Sequence, residues 1–219
     1  MSDALAAERV LRWQRDPCAF MDEVLINPET GEPFALLPAE IQFLRYGFTL
    51  RTDGSLPYPE LLYSCPKKGG KSTFGAMCLT YTIVVLGGRF AEGYAVANDL
   101  EQAQSRVFRA AARIVEASPL LRDSALITKD KIEFPVSGSF IQAISSDYAS
   151  AAGANPTISV FDELWAYTSE RAHRLWDELV PVPTRAVSVR LTVSHAGFEG
   201  ESGPLWDLYQ RGLRGEVIA

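Results

Sequence analysis

The sequence predicts an α/β fold in which a mainly parallel central sheet is flanked by helices on both faces. Three observations lead to this prediction. An apolar segment that ends in a glycine-containing loop is followed directly by an apolar helix-like segment, over residues 59–79. Strand-like and helix-like segments then alternate along the chain, which is typical of parallel sheets whose connections cross the sheet faces. A later strand-like segment ends in two adjacent carboxylates, Asp162 and Glu163.

Composition restricts the class of protein. The chain has 219 residues, of which 47% are hydrophobic and 22% charged, as expected for one soluble globular domain with a complete core. The net charge of −6 argues against nonspecific coating of nucleic acid but permits a local basic face. Three widely spaced cysteines fit a reducing compartment. The apolar run at residues 81–88 is too short to span a bilayer, so no membrane association is predicted.

Residues 1–57 are predicted to be a helical lead-in, and residues 58–219 the core of a single domain. The lead-in shows helical patterns at residues 4–15, 20–26 and 36–48. In the last of these, Gln42 could hold an adenine, because its amide supplies both the donor and the acceptor that the base edge requires. A solvated helix position is the alternative.

The glycine-containing loop carries the clearest chemistry. A strand that ends in such a loop and continues into a helix directs several backbone N–H groups at one small volume, which suits a phosphate group. Gly69 and Gly70 let the backbone approach phosphate oxygens, Lys71 supplies charge to the β- and γ-phosphates, and Ser72 offers a hydroxyl to Mg²⁺. The pattern G-x-x-x-x-G-K-[ST] is incomplete because Cys65 replaces its first glycine. A lysine-rich surface turn is the alternative.

A strand at residues 93–97 is predicted to lead into a helix over residues 98–118, capped by the polar pair at its start. Arg106, Arg109 and Arg113 share one face of this helix because they are three and four positions apart. That face is a candidate contact with a DNA backbone or with a neighbouring subunit. An ordinary solvated face is the alternative.

The remaining elements follow from local composition. Ser137–Gly138 is predicted to be the turn of a hairpin. Residues 145–156 are small and polar, and are predicted to form a loop that could rearrange around a ligand. Strands are predicted at residues 126–128, 132–134, 139–144 and 187–193, and helices at residues 169–179 and 204–213.

The segment Ile158–Glu163 is the second chemical landmark. Successive strand residues project to opposite faces, so Asp162 is predicted to serve Mg²⁺ or its water while Glu163 reaches the attacking water as a general base. A strand that ends in a charged turn is the alternative. Strand ends face the ligand crevice in an open α/β sheet, so residues 194–197 are expected near the γ-phosphate. Within that turn, His195 is interpreted as a structural residue.

Together these motifs resemble a known family, the large subunit of tailed-phage terminases, which is the motor that packages DNA into a prohead. The similarity extends over residues 36–212 and rests on Lys67-x-x-Gly70-Lys71-Ser72, NDLEQAQSRVF with the later SPL, FDELWAY and SHAG. It implies a phosphate-loop NTPase fold and a catalytic glutamate directly after the magnesium aspartate. It also implies a basic residue early in the loop, which here is Lys67.

The motifs and the resemblance together assign a site for ATP and Mg²⁺. Glu163, Lys71 and Lys67 are the expected catalytic residues, and Ser72 and Asp162 the expected metal ligands. The nucleotide is expected to contact Pro66, Lys67, Lys68, Gly69, Gly70, Lys71, Ser72, Thr73 and Gln42. The resemblance also implies double-stranded DNA, a prohead portal and a small terminase subunit as partners. It further implies a homo-oligomeric ring when assembled, with a monomer in isolation, in the cytoplasm of an infected bacterium.

The sequence departs from the family pattern in three places. His195 stands where many relatives have a second hydroxyl residue, and residues 145–156 contain no arginine, although many relatives carry one there. Large terminases usually continue into a nuclease domain, whereas this sequence stops at Ala219. The chain is therefore expected to be the ATPase half alone, without a nuclease domain.

The predicted function is ATP hydrolysis that drives viral double-stranded DNA into a prohead. One alternative is a helicase-like ATPase, although a helicase core needs a second motor domain that this length leaves no room for. The other alternative is a nucleotide-binding assembly or regulatory module with little hydrolysis. Cys65 at the glycine position favours that module, and the intact Lys71, Ser72, Asp162 and Glu163 count against it.

Overall fold

The computed structural model of the chain describes residues 3–97, 106–144, 151, 153–197 and 203–215. The predicted helix cap at Asn98 and Asp99 and most of the predicted loop at residues 145–156 lie outside the described residues. No helix in the described part of the chain is long and apolar enough to cross a membrane.

A seven-stranded sheet forms the centre of the described chain. In chain order its strands are β1 (Glu60–Ser64), β2 (Glu92–Val96), β3 (Leu126–Ile127), β4 (Lys131–Phe134), β5 (Ser139–Ile144), β6 (Ile158–Asp162) and β7 (Val189–Ser194). Across the sheet they lie in the order β1-β7-β6-β2-β5-β4-β3. The first five strands in this order are parallel, and β4 and β3 continue the sheet in antiparallel pairing. The prediction of a mainly parallel sheet is confirmed.

Helices precede and separate these strands. In chain order they are α1 (Asp3–Arg15), α2 (Pro17–Val24), α3 (Pro38–Phe48), α4 (Lys71–Tyr81), α5 (Arg106–Ala117), α6 (Pro119–Arg122), α7 (Glu170–Glu178) and α8 (Pro204–Arg214). A π-helical turn extends α4 over Thr82–Leu86, and a 3₁₀ turn at Leu164–Ala166 follows β6. The helix predicted at residues 20–26 begins earlier, because the Asp16 side chain caps α2 by accepting a 3.1 Å bond from Cys18 N–H. It ends earlier because Leu25 is extended, with φ −86° and ψ 125°.

The sheet carries helices on both faces, as predicted. Along β6 the side chains alternate, so Ile158 and Val160 pack in the core that contains α4 and α5 while Phe161 packs in the core that contains α7. Helices α1 to α3 join the first of these cores, where the Phe20 ring of α2 lies 5.4 Å from the Tyr81 ring of α4. The N-terminal lead-in therefore shares the core of the sheet.

Two features bring α4 against the carboxyl ends of three strands. Strand β7 lies between β1 and β6, and its Val193 is in register with Tyr63 on one side and Asp162 on the other. On α4, Gly75 permits a close approach, because a Cβ atom there would lie 3.2 Å from the side chains of Val160 and Val193. Residues at the ends of β1, β7 and β6 therefore meet the first turn of α4.

Candidate active site

The loop between β1 and α4 takes its shape from two residues in the left-handed conformation, Lys68 (φ 67°) and Gly70 (φ 79°). Gly70 directly precedes α4 and adopts this conformation without steric cost. The Gly69 N–H group donates to the Pro66 carbonyl over 3.1 Å. Cys65, which replaces the first glycine of the common pattern, does not have a positive φ. The backbone of this loop therefore does not require a glycine at that position.

The exposure of this loop suits an anion that arrives from solvent. Residues 66–70 are exposed, whereas Lys71 is only 6% exposed and Ser72 and Thr73 are half-buried. Phe74 N–H donates to the Gly70 carbonyl over 2.9 Å and so closes the first turn of α4. The N–H groups of residues 71–73 have no acceptor within the helix, because they precede that turn. Such N–H groups at a helix start are a favourable environment for phosphate.

Lys71 and Glu163 form an ion pair in which Nζ lies 2.9 Å from Oε1. Strand β6 ends at Asp162, and Glu163 is left-handed, with φ 57° and ψ 50°. The expectation that strand alternation sends Asp162 and Glu163 to opposite faces is therefore wrong, because the left-handed residue turns the second carboxylate toward α4. A non-glycine residue in this conformation costs about 1–2 kcal/mol, and such strain clusters at functional sites.

Asp162 is the buried carboxylate of the site and is 7% exposed. Its Oδ2 accepts a 2.9 Å hydrogen bond from the Ser72 hydroxyl, and its Oδ1 is buried without a hydrogen-bond partner among the described residues. Burial raises the pKa of Asp162, and this effect outweighs the lowering by Ser72 and by nearby positive charges. Carboxylate and hydroxyl oxygens are ligands that Mg²⁺ prefers. An unpaired buried carboxylate oxygen beside a hydroxyl therefore fits a magnesium ion.

The second oxygen of the Glu163 carboxylate accepts two hydrogen bonds. Trp165 Nε1 lies 2.8 Å from Oε2, and His195 Nδ1 lies 2.6 Å from the same atom. Burial by itself raises the pKa of Glu163. The hydrogen bonds from Lys71, Trp165 and His195 and the charge of Lys71 lower the pKa by more than burial raises it, so the pKa lies below its usual value. The carboxylate is therefore held in its ionised form.

The turn after β7 lies beside the loop, and its place near a γ-phosphate stays a prediction. Cys65 N–H donates to the Ser194 carbonyl over 3.3 Å, and His195 reaches Glu163. The sequence analysis interprets His195 as a structural residue and assigns no role to Trp165, whereas the structure places both beside the predicted base. Two signals could have found them. Trp165 lies two residues after Glu163, and His195 lies in the turn already expected near the γ-phosphate.

Two other predicted site residues lie at the surface. Lys67 is exposed in the loop, and Gln42 is exposed on α3. Helix α3 is fixed beside the loop, because the Phe43 ring lies 5.2 Å from the Tyr63 ring of β1 and 5.7 Å from the Phe74 ring of α4. The roles of Lys67 toward phosphate and of Gln42 toward adenine stay predictions.

The segment that contains the loop, the carboxylates and the turn matches a known family. The family model described as "Terminase large subunit, ATPase domain" matches residues 42–202. This chain belongs to that family. The matched part of the terminase chain includes the loop, both carboxylates and the turn with His195. No protein with a curated description matches the chain.

The solved structure of one large terminase shares this fold, and two others are less similar. The large terminase of bacteriophage HK97 has a TM-score of 0.75 and 18% sequence identity, over 93% of this chain and 42% of that one. The large terminase ATPase domain of Thermus phage P74-26 has a TM-score of 0.46 and 14% identity, over 76% and 66% of the two chains. A mutant of that domain has a TM-score of 0.45 and 16% identity, over 64% and 60%. The terminase chain described here thus spans less than half of the HK97 protein.

Proposed function

We propose that this terminase chain binds ATP with Mg²⁺ and hydrolyses it. One observation supports the proposal most directly: two neighbouring residues at the start of α4 contact the two neighbouring carboxylates at the end of β6. Lys71 lies 2.9 Å from Glu163, and Ser72 lies 2.9 Å from Asp162. A lysine, a hydroxyl and two carboxylates at the start of a helix are the groups that phosphoryl transfer needs. Family membership supports the same reaction.

Each residue has a distinct role in this proposal. The N–H groups at the start of α4 and the Lys71 ammonium bind the β- and γ-phosphates, and Lys67 adds charge from the exposed part of the loop. Ser72 and Asp162 would hold Mg²⁺, which when bound neutralises charge on the phosphate oxygens. Glu163 accepts the proton of the attacking water as a general base. Gln42 binds the adenine through its amide.

Hydrolysis would drive double-stranded DNA into a prohead, with the portal and the small terminase subunit as partners. Family membership supports this role, and so does the exposure of Arg106, Arg109 and Arg113 on one side of α5. These arginines could contact a DNA backbone or a neighbouring copy in a ring. The motor would act in the cytoplasm of the infected bacterium.

The structure gives less support to a binding module with little hydrolysis. Its main support in the sequence was Cys65 in place of the first glycine. Because Cys65 has no positive φ, the cysteine does not by itself disrupt the loop. The helicase-like alternative gains no supporting observation.

A phosphate-release assay on the purified chain tests the proposal. Glu163→Gln keeps the shape of the side chain but removes the base, so ATP should still bind while hydrolysis falls roughly 10²-fold or more. Lys71→Ala should instead weaken both ATP binding and turnover, because it removes the buried charge that meets the phosphates. If Glu163→Gln hydrolyses ATP at the parent rate, the general base lies elsewhere. If Lys71→Ala also matches the parent chain, the site assignment is wrong.

A further inference from the structure

The Glu163 carboxylate has different partners at its two oxygens. Oε1 lies 2.9 Å from Lys71 Nζ, whereas Oε2 is 2.8 Å from Trp165 Nε1 and 2.6 Å from His195 Nδ1. A carboxylate oxygen only accepts hydrogen bonds, so the His195 ring must carry a proton on Nδ1. The two donors to Oε2 come from separate parts of the fold, namely the 3₁₀ turn after β6 and the end of β7.

We propose that Trp165 and His195 are positioning residues that fix Oε2 of Glu163, so that Oε1 is the oxygen that receives the proton of the attacking water. This inference rests on the proposed ATPase function and extends it to two residues outside the predicted site. The two oxygens of the Glu163 carboxylate then have separate roles. Trp165 and His195, the two anchors, hold Oε2 in place, and Oε1 accepts the proton.

The charges in the site explain why Oε1 is the oxygen that becomes available. Lys71 is the predicted partner of the β- and γ-phosphates, which carry more negative charge than a single carboxylate. When ATP is bound, the ammonium is drawn toward the phosphates and Oε1 loses its partner. The Trp165 donor to Oε2 has no such reason to leave, because an indole N–H carries no net charge.

The two anchors also limit the freedom of the base. A glutamate side chain has several rotatable bonds, so without these anchors the Glu163 side chain would adopt several rotamers and Oε1 would not keep one position. Here the Trp165 and His195 rings also contact each other, with centroids 5.1 Å apart, and Glu163 N–H donates to the Val193 carbonyl over 2.9 Å. Backbone and side chain of the base are thus both held.

The reaction step balances with this assignment. The water oxygen forms a bond to the γ-phosphorus while the bond from that phosphorus to the β–γ bridging oxygen breaks. ADP leaves with the electron pair of the broken bond, and the water proton passes to Oε1 of Glu163. His195 and Trp165 keep their own protons throughout, so they act through the position of Glu163 alone.

Turnover of three variants tests the role of the anchors. Trp165→Phe removes the indole donor but keeps an aromatic ring against His195, and His195→Ala removes the second donor. Each should lower kcat roughly tenfold or more with little change in ATP affinity, since a small misplacement of a catalytic group has effects of this size. His195→Asn should recover most of the lost kcat, because its amide nitrogen occupies the position of Nδ1. Trp13→Phe is the matched control, since it removes an indole hydrogen bond to Glu23, a carboxylate that is not part of the candidate site.

A second set of variants separates positioning from a general structural effect. In the Glu163→Gln background, neither Trp165→Phe nor His195→Ala should lower the residual rate further, because both act through the carboxylate. If they still lower that rate, or if they leave kcat unchanged in the parent chain, the anchoring role is overturned while the ATPase proposal stands. A parent chain without any hydrolysis would instead overturn the ATPase proposal.

The imidazole nitrogens give a readout that does not depend on activity. The chain has two histidines, His173 and His195. His173 Nε2 lies 2.9 Å from the Tyr167 carbonyl, which only accepts, so the proton of His173 is on Nε2. Nitrogen-15 NMR of the free protein should therefore show His195 protonated at Nδ1, and Glu163→Gln should shift the His195 signals and not those of His173. A His195 ring without a proton on Nδ1 would contradict the anchoring bond.

Discussion

Asp162 and Glu163 are neighbours in sequence, yet their carboxylates have different surroundings. Asp162 is buried and has a raised pKa, and one of its oxygens has no hydrogen-bond partner in the described part of the chain. Glu163 is half-buried, has a lowered pKa and accepts bonds at both oxygens. The left-handed conformation of Glu163 makes this possible, because it lets both side chains reach the start of α4. Two carboxylates that differ in this way suit two roles, a cation ligand and a base.

Substitution of Asp162 by asparagine tests the cation role. The asparagine side chain keeps an acceptor for the Ser72 hydroxyl but loses the charge, so we expect the Mg²⁺ concentration for half-maximal activity to rise roughly tenfold or more. Titration of turnover against Mg²⁺ measures this shift, and a thermal melt without nucleotide checks that the variant folds. An unchanged Mg²⁺ requirement would assign the metal to other residues.

Helix α4 connects the loop to the sheet, and its position depends on Gly75. This residue faces Val160 of β6 and Val193 of β7, the two strands whose ends carry Asp162 and His195. At the amino-terminal ends of the strands, Arg190 of β7 is bonded to Glu60 of β1, and both side chains are buried. The edge strand that leads into the loop is thereby tied to its neighbour at both ends, because Cys65 N–H also bonds the Ser194 carbonyl.

Enlarging Gly75 should move α4 away from the sheet. Gly75→Leu forces its side chain against two valines, so we expect a loss of about 1–3 kcal/mol in the free energy of unfolding, together with weaker ATP binding. Gly212→Ala in α8 is the matched control, because a Cβ atom there meets nothing within 4 Å. That variant should gain about 0.5–1 kcal/mol. Denaturant unfolding measures both, and equal stabilities for the two variants would contradict the close packing of α4.

At the scale of the whole molecule, helix α5 presents three exposed arginines. Arg106, Arg109 and Arg113 are exposed on α5, while Val107 and Phe108 on the same helix are buried. The Arg106 charge also lowers the pKa of Asp162, although burial outweighs it. Arg109 and Arg113 lie one and two turns further along α5, and they are the arginines that we expect to contact a neighbouring copy.

The isolated chain should be a slow ATPase that becomes faster when copies assemble. An arginine that stabilises charge on the γ-phosphate contributes about 10³- to 10⁵-fold in rate, and Lys67 lacks the planar group that binds two oxygens at once. Specific activity should therefore rise with protein concentration or on addition of the prohead portal. Arg109→Ala or Arg113→Ala should abolish that rise, whereas Arg122→Ala, which removes an arginine bonded to its neighbour Asp123, should not.

A monomer that hydrolyses ATP at tens of turnovers per second would contradict this dependence on assembly. Light scattering on the assayed sample establishes the oligomeric state. In that case the ATPase proposal would stand, and the charge on the γ-phosphate would be stabilised within one chain.

The sequence by itself determined the strand–loop–helix unit at residues 59–79, the strand that ends at Asp162 and the mainly parallel sheet. These features depend on the spacing of apolar residues, glycines and charges within short segments, which is visible without any tertiary contact. The same local signals identified Lys71, Ser72, Asp162 and Glu163, and the structure brings these four together.

Only the tertiary structure decided how these segments meet. The position of β7 between β1 and β6, the left-handed turn at Glu163 and the contacts of His195 and Trp165 with its Oε2 could not be predicted from local pattern. The physical reason is that strand order and side-chain contacts depend on packing between distant segments. His195 and Glu163 are 32 positions apart, and only the pairing of β7 with β6 brings them within hydrogen-bond distance.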